Sequence, residues 1–145
     1  MINISCRVLL KEDLDDIYEV WFKSGIELKK KGRDSRKNLM RQMDLPNTRF
    51  IGAFNDEKML GVVLATHDGR KGWINRISTL PEFQKHGIAL RLIDEAEEWL
   101  KKENIEVFSA LIYEDNMPSI ALFEKANYKY IKNIHYFVKK VFEEV

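Results

Sequence analysis

The fold of this chain is decided by the stretch Leu80-Pro81-Glu82-Phe83-Gln84-Lys85-His86-Gly87-Ile88-Ala89. An apolar segment leads into it and a long amphipathic segment leaves it, which predicts a strand, a short turn and a helix. The first N–H groups of a helix have no partner within the helix, and they carry its positive end. Gly87 lets the backbone approach another molecule closely, and Lys85 and His86 add positive charge. The stretch therefore predicts a diphosphate site, with an ordinary strand–turn–helix as the alternative.

The helix after the turn has a well-defined apolar face. Its apolar residues recur at three- and four-residue steps: Ile88, Ala89, Leu92, Ile93, Ala96, Trp99 and Leu100. Charged residues fill the opposite face. Asn104 is suited to end this helix, and Asn127 the helix that starts at 116, because asparagine tolerates the left-handed conformation of a C-terminal cap. The strand before the turn is predicted over residues 73–80.

The other elements follow from apolar alternation, caps and turns. Strands are predicted over 2–10, 49–54, 58–66 and 105–113, helices from 11, over 35–44 and from 116, and a last hairpin over 128–131 and 134–141. Consecutive strands favour antiparallel pairing, and a strand–helix–strand unit favours a parallel crossover. We therefore predict an α/β (α+β) fold over residues 1–145, a single domain with a mixed, mostly antiparallel sheet and helices on both faces.

The composition is that of a soluble globular protein. Of 145 residues, 45% are hydrophobic and 32% charged, and the net charge is +1. No global field draws such a chain to nucleic acid or to a membrane. Its single cysteine, Cys6, allows neither an internal disulfide nor a metal cluster built around it. With no apolar run near ~20 residues and no secretion signal, the sequence favours the cytoplasm and leaves the oligomeric state open, a homodimer included.

Two segments resemble those of GNAT-type N-acetyltransferases. Residues 79–89 resemble the family motif Gln/Arg-x-x-Gly-x-Gly/Ala, and residues 116–128 resemble Asn-x-x-Ala-x-x-Leu-Tyr-Glu-Lys-x-Gly-Phe. The two motifs, with a strand between them, are much more specific together than either is alone. The resemblance implies the GNAT acyl-coenzyme A N-acyltransferase fold, acetyl-coenzyme A as acetyl donor, and a primary amine as acceptor.

The resemblance also implies which residues meet the donor. The backbone of Thr79 and Leu80 should hold the pantetheine arm, and an N–H near Thr79 should stabilise the oxyanion. Asn116 should contact the pantetheine or cap the fourth helix, while Phe123 and Lys125 should lie near the sulfur and the outer end of the cofactor. The diphosphate should be wrapped by Gln84, Lys85, His86, Gly87, Ile88, Ala89 and Leu90.

Phe123 marks the main departure from the family pattern. The family often has a tyrosine there, which is thought to protonate the leaving thiolate. Tyr113 or Tyr128 could replace it, with packed aromatics as the alternative. Glu114 or Asp115 could accept the proton of the amine, or could simply flank the helix cap. A thiol has a pKa of ~8.5, so the thiolate can leave without help from an acid.

The segment 23–41 is basic. Its positive residues are Lys23, Lys29, Lys30, Lys31, Arg33, Arg36, Lys37 and Arg41. They could attract an acidic substrate or RNA, with a solvated loop and helix face as the plainer alternative. The stretch Ala110–Tyr113 lacks the carboxylate of peptide-acetylating members. The sequence thus favours a small-molecule amine, ahead of a peptide acceptor or a catalytically weakened acyl-coenzyme A-binding module.

Overall fold

Five strands form one sheet in chain order, and four α-helices pack on it. The structure, a computed structural model, describes residues 3–145. Its elements are β1 (Ser5–Val8), α1 (Leu14–Lys23), α2 (Arg36–Met43), β2 (Thr48–Asn55), β3 (Lys58–His67), β4 (Gly72–Thr79), α3 (Ile88–Lys102), β5 (Phe108–Ser109) and α4 (Met117–Lys125). Strands β1 to β4 are antiparallel, and β5 runs parallel to β4. The predicted mixed sheet is confirmed.

Helices cover both faces of the sheet, as predicted. On one face, Ile88, Leu92 and Ile93 of α3 are buried with Phe123 of α4 in one apolar cluster. On the other face, a second cluster gathers the buried residues of α1 with Leu39 of α2. Burial of these faces is what holds each amphipathic helix on the sheet.

The predicted helix ends agree with the backbone. Ser35 caps α2 by accepting the N–H of Asn38 at 3.1 Å. Asn104 and Asn127 follow α3 and α4 with φ values of 64° and 72°, the left-handed conformation expected at helix C-termini. None of the described helices is long and apolar enough to cross a membrane.

The end of the chain differs from the prediction. Strand β5 spans Phe108–Ser109, where residues 105–113 were predicted, and residues 129–145 contain no strand, so the predicted hairpin is wrong. Its apolar residues lie exposed, with Phe137 91% and Val141 96% accessible. A hairpin needs a sheet edge or another layer for stability, and the short β5 offers little edge. The first strand was predicted from residue 2, which lies outside the described residues; β1 begins at Ser5.

Candidate active site

The sheet opens between β4 and β5. The two strands pair only at their beginnings, through Gly72 with Phe108 and Trp73 with Ser109. Beyond that point, the edge of β4 that faces β5 has no strand partner among the described residues. Leu80 donates its N–H to the carbonyl of Leu60 on β3 at 2.8 Å. Because N–H directions alternate along a strand, the N–H of Thr79 is turned to the open edge.

The turn between β4 and α3 presents a row of free N–H groups. Within residues 3–145, no protein acceptor is found for the backbone N–H groups of residues 85–90. The next N–H along the chain, that of Arg91, donates to the carbonyl of Gly87 at 3.0 Å. Lys85 and Gly87 have φ values of 69° and 77°. Successive N–H groups in such a turn, followed by a helix N-terminus, form a concave anion site.

Gly87 leaves that site accessible. A Cβ atom built on Gly87 would meet no protein atom within 4 Å, so the space in front of the turn is open. The flanking side chains of Gln84, Lys85 and His86 are exposed. The arrangement has the free donors and the room that a diphosphate requires.

Thr79 ends β4 beside this turn. The residue is 8% exposed, and its buried hydroxyl has no hydrogen-bond partner among the described residues. Its N–H faces the opening, as derived above. The N–H of Thr79 is therefore a backbone donor at the point where the opening between β4 and β5 meets the free N–H groups of residues 85–90.

Tyr113, Glu114 and Asn116 lie on the segment that follows β5, across the opening from β4. Tyr113 is 86% exposed, and Glu114 is also exposed. Asn116 caps α4 by accepting the N–H of Ser119 at 3.3 Å, and its own N–H bonds the carbonyl of Tyr113 at 3.0 Å. The segment therefore presents a phenol and a carboxylate to solvent beside a fixed helix start.

Two aromatic residues of the second motif pack together, Phe123 buried and Tyr128 partly buried. Phe123 is 4% exposed, and its ring meets that of Tyr128 edge to face, with centroids 5.0 Å apart. The Tyr128 hydroxyl donates to Glu97 Oε2 at 2.7 Å. Burial, and then this hydrogen bond, raise the pKa of Tyr128. Tyr128 therefore holds its proton and ties the chain to α3, while Lys125 is exposed at the end of α4.

Sequence reasoning missed a buried ion pair that fixes the α1–α2 loop, residues 24–35, to β4. Arg76 donates from Nη2 to Asp34 Oδ2 at 2.6 Å and from Nη1 to the carbonyl of Glu27 at 2.8 Å. Asp34 is 4% exposed and also accepts the N–H of Lys29 at 2.7 Å. Tyr18 donates its hydroxyl to the carbonyl of Asp34 at 2.5 Å. The loop is thus held rigidly against the sheet.

Arg76 occupies a distorted point of β4. Its φ is 53°, and the pairing of β3 with β4 shifts register near its position. Burial lowers the pKa of Arg76, and the carboxylate of Asp34 opposes that shift. A single charged residue in β4, and an aspartate within a basic segment, were the available signals for this pair.

Comparison with known proteins gives this geometry a context. Residues 11–128 match the Acetyltransferase (GNAT) family. PaiA N-acetyltransferase from Thermoplasma acidophilum, solved with coenzyme A, is 24% identical, with a TM-score of 0.75 over 86% of this chain and 89% of that one.

Two aminoglycoside acetyltransferases are also similar in structure. Aminoglycoside antibiotic 6'-N-acetyltransferase AAC(6')-IG from Acinetobacter haemolyticus is 20% identical, with a TM-score of 0.78 over 94% of this chain and 99% of that chain. AAC(6')-Iy, in complex with a coenzyme A bisubstrate analogue, is 16% identical, with a TM-score of 0.76 over 95% and 99%. These likenesses concern the fold, whereas the family match extends over well more than half of the sequence. The chain belongs to the GNAT family of acetyltransferases.

Proposed function

We propose that the chain transfers the acetyl group of acetyl-coenzyme A to the primary amine of a small molecule, by direct attack of the amine in a ternary complex. Membership of an acetyltransferase family supports the reaction class and the donor. The observation that best supports the proposal is the opening between β4 and β5, which ends beside the free N–H groups of residues 85–90. A long donor with a diphosphate and an amide-containing arm fits these two features together.

Particular residues would hold the donor. Residues 85–90 would bind the diphosphate through their N–H groups, with the side chain of Gln84 beside them, because the Gln84 N–H is bonded to the carbonyl of Pro81 at 3.3 Å. The free edge of β4 up to Thr79 would pair with the amides of the pantetheine arm. Leu80 can offer only the second lone pair of its carbonyl, because its N–H is bonded to Leu60 and its carbonyl already accepts the N–H of Phe83 at 2.9 Å. Asn116 would act by fixing the start of α4, on which Phe123 and Lys125 are proposed to lie near the sulfur and the outer end of the cofactor.

Acetyl-coenzyme A supplies, when bound, an acetyl group activated as a thioester. The N–H of Thr79 would stabilise the oxyanion, a contribution of the kind whose loss costs about 10²–10³ in rate. Glu114 would take the proton of the attacking amine, and Tyr113 would give one to the departing sulfur. Since a thiol has a pKa of ~8.5, the thiolate is a good leaving group, and most of the rate enhancement would come from positioning and from the oxyanion donor.

A small-molecule acceptor is favoured over a peptide. Two of the similar structures are enzymes named for aminoglycosides, which are small amines. Residues 110–113 carry no carboxylate for a peptide N-terminus. A catalytically weakened acyl-coenzyme A-binding module is the further alternative, because Phe123 replaces the usual tyrosine.

The proposal is tested by incubating the chain with acetyl-coenzyme A and a library of small amines while measuring free thiol. We expect turnover with at least one amine, and mass spectrometry should find the acetyl group on its nitrogen. A parallel peptide library tests the second acceptor class. Tight coenzyme A binding without thiol release from any amine would identify a binding module instead.

Tyr128→Phe separates a structural tyrosine from a catalytic one. Because the hydroxyl donates to the carboxylate of Glu97, we expect the free energy of unfolding to fall by about 1–3 kcal/mol. The kcat should stay within about twofold of wild type, because the raised pKa keeps the proton on Tyr128. Urea unfolding and the thiol assay measure the two quantities. A loss of about 100-fold in kcat by a folded variant would make Tyr128 the acid.

A further inference from the structure

We propose that Arg76 is a positioning residue: its guanidinium, bound by the α1–α2 loop, maintains a bulge in β4 that turns the N–H of Thr79 to the opening between β4 and β5. The inference deepens the proposed acetyltransferase function and rests on it, because this N–H is the proposed oxyanion donor. Arg76 acts through the backbone of β4 and not by contact with the reacting atoms.

Strand β4 contains one residue more than the stretch of β3 that it pairs with. Between two regular pairs, β3 has the single residue Val63, whereas β4 has both Arg76 and Ile77. Arg76 has a φ of 53°, in the left-handed region. A bulge with a left-handed first residue usually has glycine there, because a Cβ atom is strained in that conformation. An arginine at this position therefore persists only where its surroundings hold it.

The bulge reverses the direction of the N–H groups that follow it. Gly72, at the start of β4, donates its N–H to the carbonyl of Val107, just before β5, at 2.8 Å. Leu80 donates on the opposite side, to Leu60 of β3. In a regular strand, residues an even number of positions apart direct their N–H groups to the same side. The extra residue shifts this alternation by one, and without it the N–H of Thr79 would face β3.

The side chain of Arg76 provides contacts that can hold the bulge. Its guanidinium donates to the carboxylate of Asp34 and to the carbonyl of Glu27, and it lies over the ring of Trp21, with Cζ 5.6 Å from the centroid. A hydrogen bond between two charged groups is stronger than one between neutral groups. Asp34 is itself fixed by the N–H of Lys29 at 2.7 Å. The loop therefore offers Arg76 a rigid partner.

The bulge lies where β4 has already separated from β5. The pairing of these strands ends at Trp73, three positions before Arg76, and Thr79 lies three positions after it. Among the described residues, no strand pairs with this part of β4 on the β5 side. The conformation of the bulge therefore depends on β3 and on the contact with the loop.

Arg76→Gly and Arg76→Ala together test the inference. Both remove the guanidinium, but glycine adopts a φ of 53° without strain and alanine does not. We expect kcat to fall by about 10²–10³ in Arg76→Ala, as when an oxyanion donor is lost, and Arg76→Gly should stay within about tenfold of wild type. The KM for acetyl-coenzyme A should change by less than about threefold in both, because the lost interaction is made in the transition state.

Two further comparisons separate positioning from stability. Both variants leave Asp34 without its partner, so kcat is also compared after Asp34→Asn is added to each, which removes the unpaired charge. The glycine variant should again exceed the alanine variant by at least about tenfold. Tyr18→Phe is the control: it removes the bond from the Tyr18 hydroxyl to the same loop, at the carbonyl of Asp34, without altering β4. This control should keep the wild-type kcat.

Amide hydrogen exchange detects the bulge without turnover. The bond from the Leu80 N–H to Leu60 belongs to the bulged register, so this N–H should exchange at least about tenfold faster in Arg76→Ala and at the wild-type rate in Arg76→Gly. The N–H of Leu9, bonded to the carbonyl of Phe50 at 2.8 Å, is the reference for global stability.

The outcomes distinguish this inference from the proposed function. Equal kcat in the glycine and alanine variants would overturn the inference and leave the acetyltransferase in place. If the wild-type chain acetylates no amine, the proposed function fails, and exchange at Leu80 alone decides the role of Arg76. Equal exchange at Leu80 in the two variants, relative to Leu9, would overturn the inference in either case.

Discussion

Replacing Gly87 with alanine is expected to raise the Kd of coenzyme A by about 10- to 100-fold. Gly87 has a φ of 77°, where a Cβ atom is strained. No protein atom lies within 4 Å of the position that this Cβ would take, so the added methyl group would project into the space proposed for the diphosphate. Calorimetric titration with coenzyme A measures the change directly.

Gly69→Ala is the matched control. Gly69 has a φ of 87° and equally open surroundings, but it lies in the turn between β3 and β4. Both variants should lose about the same stability, roughly 1–2 kcal/mol for a left-handed alanine, and only Gly87→Ala should lose affinity. A wild-type Kd in Gly87→Ala would place the diphosphate elsewhere, and an equal loss of affinity in both variants would attribute the effect to global destabilisation.

What the sequence predicted well was local. The face of α3 follows from the spacing of its own apolar residues, and the conformations of Asn104 and Asn127 follow from a single residue type at a helix end. The turn at Gly87 was found for the same reason, since a glycine between a strand and a helix restricts the backbone on its own. The free N–H groups of residues 87–90 follow from the helix start, whereas those of residues 85 and 86 belong to the turn before it.

What the sequence predicted poorly depends on partners. Residues 105–113 and 134–141 have the alternation of strands, but a strand exists only where a neighbour accepts its hydrogen bonds. The pairing of β4 with β5 ends at Trp73 and Ser109, so β5 is short and offers no long edge to the following segment. The alternation of apolar and polar residues within one segment does not show where its pairing with a neighbouring strand ends.

The Asp34–Arg76 pair was missed for a related reason. Its members are 42 positions apart, and neither belongs to a motif. A basic segment predicts a solvated surface, whereas the one aspartate at its centre is among the most buried polar residues of the described chain. Only the packed structure shows that the loop next to the proposed site depends on this carboxylate.

Asp34→Ala is expected to reduce the free energy of unfolding by about 3–5 kcal/mol. The substitution leaves the partly buried guanidinium of Arg76 without its carboxylate, and it removes the acceptor of the Lys29 N–H. Part of the effect comes from the loop, whose attachment to β4 is then reduced to the bond from Arg76 to the carbonyl of Glu27. Urea unfolding followed by circular dichroism measures the change.

Two comparisons identify the cause of that loss. Asp15→Ala removes a solvent-exposed partner of Arg36 and should cost no more than about 1 kcal/mol. The double variant Asp34→Ala/Arg76→Met should be more stable than Asp34→Ala alone, because it leaves no unpaired charge in the interior. If Asp34→Ala unfolds with the wild-type free energy, or if the double variant is the less stable of the two, the loop is held by its other hydrogen bonds and the buried pair is not what positions it.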